Sequence, residues 1–316
     1  MSLNSFDKHS DRYHINSKTS KREFRKILKY KNVSIIQFVE PIDNIQVFKN
    51  IETIILTEKP NMELRAFGHY GKVCDLKFLE YIPSLKKFSA DCLMDVINLE
   101  SIEKLEKLEE LSLGIYNLTN FDFLNKIKPE IKSLFIGRTA SKKPNISAIS
   151  RFNELKYLYL EGHNKGIQEI SKLLKLEKIV LRSISTENLD FLKKLPKLWS
   201  VDIKLGGIKN FDALAEIKGL KYLELWQIRK LMDISFISKM TDLQNVFLQS
   251  LPNIETLPNF EKNKKLRRIG LENLKGLKNI NTVEFAEKLA EFYFIDSSQL
   301  QPEDFIPLFK NKTLKY

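Results

Sequence analysis

Cysteine is scarce in these 316 residues: Cys74 and Cys92 are the only two. Two cysteines cannot form the disulfide framework of a small secreted domain, so a reducing, cytoplasmic setting is the simpler expectation. Both are expected to act as small buried apolar side chains. Histidine is nearly as rare, limited to His9, His14, His69 and His163. No three or four candidate ligands share a metal-binding spacing, so no metal and no cofactor is expected. His69 and Cys74 come nearest, but a lone pair lacks the further ligands of a metal site and is weak evidence for a nucleophile pair. His163 reads as a polar turn residue. Long apolar runs are missing as well: Lys or Glu interrupts each after a few residues, which leaves no room for a membrane-spanning helix. The opening MSLNSFDKHSDRYH has no apolar stretch of a secretory signal. GHYGK (68–72) and GHNKG (162–166) fall short of G-x-x-x-x-G-K-[ST], so they read as turns and not as phosphate loops.

What is present lies in ordinary globular proportions, with 43% hydrophobic and 29% charged residues, which argues against a disordered chain. The length allows two ordinary domains or one large one. The net charge of +12 is uneven: residues 1–32 hold nine Lys or Arg (Lys8, Arg12, Lys18, Lys21, Arg22, Arg25, Lys26, Lys29, Lys31) against Asp7, Asp11 and Glu23. Such a segment can draw nucleic acid or an acidic partner, but it reads first as a solvated arm or cap.

One pattern dominates the rest. The template L-x-x-L-x-L recurs as LEELSL (108–113), IKSLFI (131–136), LKYLYL (155–160), LEKIVL (176–181), LWSVDI (198–203), LKYLEL (220–225), LQNVFL (243–248), LRRIGL (266–271) and LAEFYF (289–294). Weaker copies stand at IETIIL (51–56) and LKKFSA (85–90). From Leu85 the starts are 23, 23, 24, 21, 22, 22, 23, 23 and 23 residues apart. Apolar residues three apart follow each strand, as in FDALAEIKGL (211–220), and fit a short 3₁₀ or irregular turn. A unit of this size cannot bury its own apolar face, so the units must stack into a continuous core.

This pattern resembles the leucine-rich-repeat family, in its short-repeat bacterial and phosphatase-regulator types. The resemblance covers residues 33–316 and implies an α/β fold, a curved solenoid with a parallel sheet on its concave face and short 3₁₀, helical or irregular turns on its convex face. One departure concerns the Asn that the family places three residues after the last template Leu. Here that place holds Tyr116, Thr139, His163, Ile184, Gly206, Ile228, Leu251 and Leu274, so a largely apolar stack is expected instead. The division is then a basic arm or cap over 1–32 and a solenoid over 33–316, with an irregular segment at 57–84 and a terminal cap at 296–316. SKREFRKILKY (20–30) reads as a short helix leading into a strand at 33–38, and PEDFIPLFKNKTLKY (302–316) as one last turn and half a strand.

Successive side chains of a strand point to opposite sides. With template positions one, four and six inward, positions three, five and seven form ladders on the outer face of the sheet. Those ladders hold Phe135, Tyr157, Tyr159, Tyr222, Trp226 and Phe247, with Glu161, Arg182, Asp202, Lys204 and Glu224 between them. Trp199, at position two, flanks this group or tucks beneath it. Aromatic residues among charges of both signs have the composition of a protein-binding surface, although aromatic residues also favour strands for packing alone. The expectation is a non-enzymatic scaffold for a protein partner, with no membrane and no small-molecule substrate. The alternative is nucleic-acid binding through the basic arm and the aromatic and basic ladder residues, against which Glu161, Asp202, Glu224 and Glu272 would repel phosphate. A further alternative is an inhibitor or immunity role, which differs only in what the partner does.

Overall fold

Each template stretch alternates apolar and polar residues, the period of a strand with one buried face. We describe a computed structural model over residues 10–141, 144–295 and 300–314. Lys8 and His9 at one end and residues 296–299, 315 and 316 of the terminal cap lie outside the described residues. The chain divides into two units, residues 1–155 and 156–316.

In the first unit six described strands of the long sheet run parallel, beside a separate two-stranded parallel pair at Cys74–Asp75 and Val96–Ile97: β1 (Arg12–His14), β2 (Ile35–Phe38), β3 (Glu63–Phe67), β4 (Lys87–Leu93), β5 (Glu110–Ile115) and β6 (Ser133–Ile136). A helix, α1 (Lys21–Ile27), opens on a capping box between Ser20 and Glu23 and buries Phe24 and Ile27 completely. The basic segment, over its described part, is therefore folded onto the sheet through β1 and α1. A second helix, α2 (Ile45–Asn50), runs on through a wide turn at Ile51–Ile55 to Glu58. IETIIL is thus helical, and Ile55 and Thr57 stand on no strand. The strand in that repeat is β3, inside the segment read as irregular. Asn44 caps α2 by accepting from the Gln46 amide, and Val47, Phe48, Ile51, Ile55 and Leu56 bury one helical face.

In the second unit seven strands pair in parallel without a register slip: β7 (Tyr157–Glu161), β8 (Lys178–Arg182), β9 (Ser200–Lys204), β10 (Tyr222–Trp226), β11 (Asn245–Gln249), β12 (Arg268–Glu272) and β13 (Glu291–Ile295). Short 3₁₀ turns return the chain, at Ile167–Lys172, Asp190–Leu192, Asp212–Glu216, Ser235–Lys239 and Asn281–Phe285. The terminal segment holds a 3₁₀ turn at Pro302–Phe305 and a helix, α3 (Ile306–Lys310), and no strand among its described residues.

Two devices fix this repeat. An Asn or Asp side chain accepts from the amide two residues on as many 3₁₀ turns open, as in Asn188 with Asp190, Asn210 with Asp212 and Asp233 with Ser235. The second device acts at their ends, where orphan carbonyls need donors. Asn263 reaches back to the carbonyls of Ile237 and Met240, both at 2.9 Å, and Asn311 does the same to Val283 and Ala286 at 3.2 and 2.9 Å. In the first unit the Arg151 guanidinium donates to Leu124 and Ile127.

The residue that follows each of β7 to β12 turns left-handed. Gly162, Ser183, Leu205, Gln227, Ser250 and Asn273 have φ between 52° and 78°. Each donates its amide across to the last residue of the next strand, as Leu205 does to Trp226 at 2.8 Å. Beyond them His163, Ile184, Ile228, Leu251 and Leu274 are buried, which replaces the family's Asn ladder with a mainly apolar stack. A Cβ at Gly206 would lie 2.1 Å from the Ile184 carbonyl oxygen, so this step of the stack requires glycine. Of the two cysteines only Cys74 is buried. Cys92 is exposed, because it takes φ 54° at a bulge in β4 and leaves the core.

Candidate functional site

Inward positions of β7 to β12 are filled by Leu158, Leu160, Ile179, Leu181, Val201, Ile203, Leu223, Leu225, Val246, Leu248, Ile269 and Leu271, each no more than 1% exposed. That core leaves the alternate side chains on the opposite face, and the register sets their neighbours. One row runs Tyr159, Val180, Asp202, Glu224, Phe247, Gly270, Tyr293, and the next runs Glu161, Arg182, Lys204, Trp226, Gln249, Glu272, Ile295. Parallel strands are about 4.8 Å apart, so adjacent members of a row touch.

Many of the charges on this face are bonded to one another. Lys204 Nζ lies 3.0 Å from Asp202 Oδ2 and 3.1 Å from Glu224 Oε1. The other oxygen of Glu224 accepts from the Tyr222 hydroxyl at 2.7 Å. Arg182 Nε pairs with Glu161 at 3.2 Å. Both cations also approach Trp226, with Arg182 and Lys204 each 5.5 Å from its ring centroid. Tyr222 packs against Phe247 with centroids 5.7 Å apart. Trp199 flanks the group, with Lys178 Nζ 4.6 Å above its ring.

Burial governs the acid–base state here. It lifts the Asp202 carboxyl to about 6, outweighing the hydrogen bond from Lys204, and leaves Oδ1 buried with no partner among the described residues. For Lys204 burial works against the ammonium, and the bonds to Asp202 and Glu224 overcome it, so its pKa is raised. Tyr159 is pushed up to about 12, by burial first and then by Glu161. Burial, then the bond to Glu224, raises Tyr222, and burial raises Tyr157.

Ten of the eleven residues expected at the site therefore share one face of the second unit. Phe135 belongs to the first unit, half-buried at an outward position of β6 paired with Ser112 of β5. The face also continues past the expected limit at β11. Arg268 bonds Glu291 at 2.7 Å through Nε, Tyr293 donates to the same carboxylate at 2.6 Å, and Arg268 lies 5.8 Å from the Tyr293 ring centroid. A groove of about 390 Å³ runs between Phe247 and Tyr293 over Gly270, with Ile295 60% exposed beside it. The template extended through 289–294 in the sequence, so Tyr293 and Arg268 stood at visible ladder positions. The gap left by Gly270 gave no signal until its neighbours were in place.

Elsewhere, burial first and Asp75 second hold the Cys74 thiol neutral, with its pKa at about 12, and no group of three or more His, Cys, Asp or Glu that could hold a metal occurs among the described residues. No helix is long and apolar enough to cross a membrane among the described residues.

No protein-family model matches the chain, and no curated protein is similar to it. Solved structures are. An internalin from Listeria monocytogenes matches with a TM-score of 0.63 at 16% identity, over 96% of this chain and 85% of that one. TLR13, solved in complex with ssRNA13, matches with a TM-score of 0.55 at 15% identity, over 96% of this chain and 49% of that one. A leucine-rich-repeat protein of Leptospira interrogans aligns over 92% of both chains at 16% identity, with a TM-score of 0.47. At such identities the likeness is one of fold, and that fold is the leucine-rich-repeat solenoid.

Proposed function

We propose that this chain is a non-enzymatic scaffold that binds a folded protein through the outward face of its second unit. One observation carries the reading: Tyr157 and Tyr159 on β7, Tyr222 and Trp226 on β10 and Phe247 on β11 stand half-exposed on one face of the sheet, interleaved with bonded charges of both signs. Rigid aromatic side chains supply contact area at little entropic cost, and prepaired charges at their edges fix orientation. Lys204 bridges Asp202 and Glu224, and these groups do not converge on an open cavity, which suits recognition more than catalysis. Both cysteines are free, in keeping with a reducing compartment.

Nucleic acid fits this face less well. Its ladder positions in the second unit hold Lys178, Arg182, Lys204 and Arg268 against Glu161, Asp202, Glu224, Glu272 and Glu291, so the net charge of +12 lies elsewhere on the chain. Phosphate binding needs an excess of cations.

Affinity capture with the wild-type chain, set beside the Tyr222→Ala, Trp226→Ala double variant, tests the proposal. A protein retained by the wild type and lost by a variant of unchanged circular dichroism supports it. Equal retention, or retention of an oligonucleotide in a salt-dependent manner, contradicts it.

A further inference from the structure

A cleft in the first unit offers chemistry that the face of the second does not. It has a volume of about 460 Å³, within the range of sites for small organic molecules. Its walls are aromatic: Phe48 and Phe78 stack with centroids 4.4 Å apart, and Phe38 meets them edge-on at 5.9 and 5.4 Å. Ile45 and Val73 line the same cleft but are 46% and 48% exposed, so its rim is apolar and open to solvent.

His69 also lines the cleft, its ring 5.4 Å from Phe38. It is 1% exposed, and neither Nδ1 nor Nε2 has a hydrogen-bond partner among the described residues. Buried polar groups without partners are few in native proteins because each costs its full desolvation, so an orphaned imidazole points to a group that meets it on binding. The backbone holds it there at some cost. His69 and Tyr70 have φ of 49° and 45° between Gly68 and Gly71, which take positive φ freely, and strain of this kind at non-glycine residues gathers at ligand-holding turns. That turn keeps His69 inside while Tyr70 is 79% exposed.

Burial lowers the His69 pKa, so the ring is neutral at pH 7 and presents one N–H donor and one bare nitrogen acceptor. Asp43 and Asp75 outnumber Lys77 along the cleft, so its lining disfavours an anion. We propose that this cleft binds an uncharged aromatic ring carrying one hydroxyl group, with the ring against Phe38 and Phe78 and the hydroxyl bonded to His69. The proposal does not depend on the role of the second unit.

The test titrates the full chain with p-cresol, and with toluene as the ring without its hydroxyl, while following the imidazole ¹⁵N signals. The expected result is saturable binding of p-cresol, roughly threefold to tenfold tighter than toluene, the worth of one hydrogen bond. His69 ring nitrogens should shift with p-cresol and not with toluene. A folded His69→Phe variant should bind both equally, and if it does not fold, the wild-type ¹⁵N shifts decide alone. N-acetyltyrosinamide separates the sources of such a ring: affinity at or above that of p-cresol assigns the cleft to a tyrosyl side chain of a partner, and weaker affinity assigns it to a free phenol. Absence of saturation by p-cresol, equal affinity for p-cresol and toluene in the wild type, or an advantage of p-cresol that survives in His69→Phe would overturn the proposal.

Discussion

Phe247 lies across Gly270: a Cβ on the glycine would come within 2.5 Å of Cδ1 and 2.8 Å of Cε1 of the ring. The two residues are register partners on β11 and β12, so the absence of a side chain on one strand decides where the ring of the other rests. It also leaves the groove that Tyr293 and Ile295 border.

Gly270→Ala should therefore displace the Phe247 ring and fill part of the groove. Overpacking of this kind costs about 1–3 kcal/mol, and a half-exposed ring that can swing outward places the cost near the lower end, about 1 kcal/mol. Urea denaturation reads the stability and partner affinity reads the groove. An unchanged unfolding midpoint with unchanged affinity would show that the ring does not rest on Gly270.

Asp202 makes stability depend on pH in an identifiable direction. Its carboxyl titrates at about 6 in the folded chain against an ordinary 3.8, so the folded state holds that proton more tightly than the unfolded state. The associated stability is present in full below about pH 4 and is lost as pH rises through about 6, an effect on the order of 2 kcal/mol. Unfolding free energies of the wild type and Asp202→Asn, measured at pH 4.5 and pH 7.5, isolate the term. The wild type should lose more on going to pH 7.5 than the variant does. A difference between the two chains that is the same at both pH values would remove Asp202 as the source.

Asn263 is fully buried and donates to two carbonyls of the preceding repeat. Asn263→Ala should cost about 2 kcal/mol, because both carbonyls lose their side-chain donor in a place that water cannot reach easily. Chemical denaturation checks this, and a loss below about 0.5 kcal/mol would mean that the carbonyls find other donors.

Much of the fold was legible because strand period and repeat period agree. In the second unit the opening Leu of each template from 176 to 271 and its fourth and sixth positions bury as a set, and register follows from that alone, while Phe292 and Phe294 of the last template are only half-buried. The aromatic and charged ladder residues stand side by side for the same reason. IETIIL misled because its apolar spacing satisfies a strand template and a helical face at once, and the cap at Asn44 decides for the helix. Cys92 misled because composition favours buried cysteine, whereas a left-handed residue at a bulge turns outward. Neither the seat of Phe247 on Gly270 nor the isolation of His69 could be read from spacing, since both depend on which atoms fail to appear nearby. The Asx turns that open the 3₁₀ segments were visible as a recurrent Asn or Asp two residues before a polar residue, a pattern that a repeat search built on leucine passes over.

Hydroxyl-radical footprinting of the chain, free and bound to its captured protein partner, bears most directly on the proposed interface. Oxidation of Tyr157, Tyr159, Tyr222, Trp226 and Phe247 should fall on binding, while exposed Tyr70 and Phe309 keep their free-state rates. Unaltered oxidation across β7 to β11, with protection elsewhere on the chain, would contradict the assignment of the face.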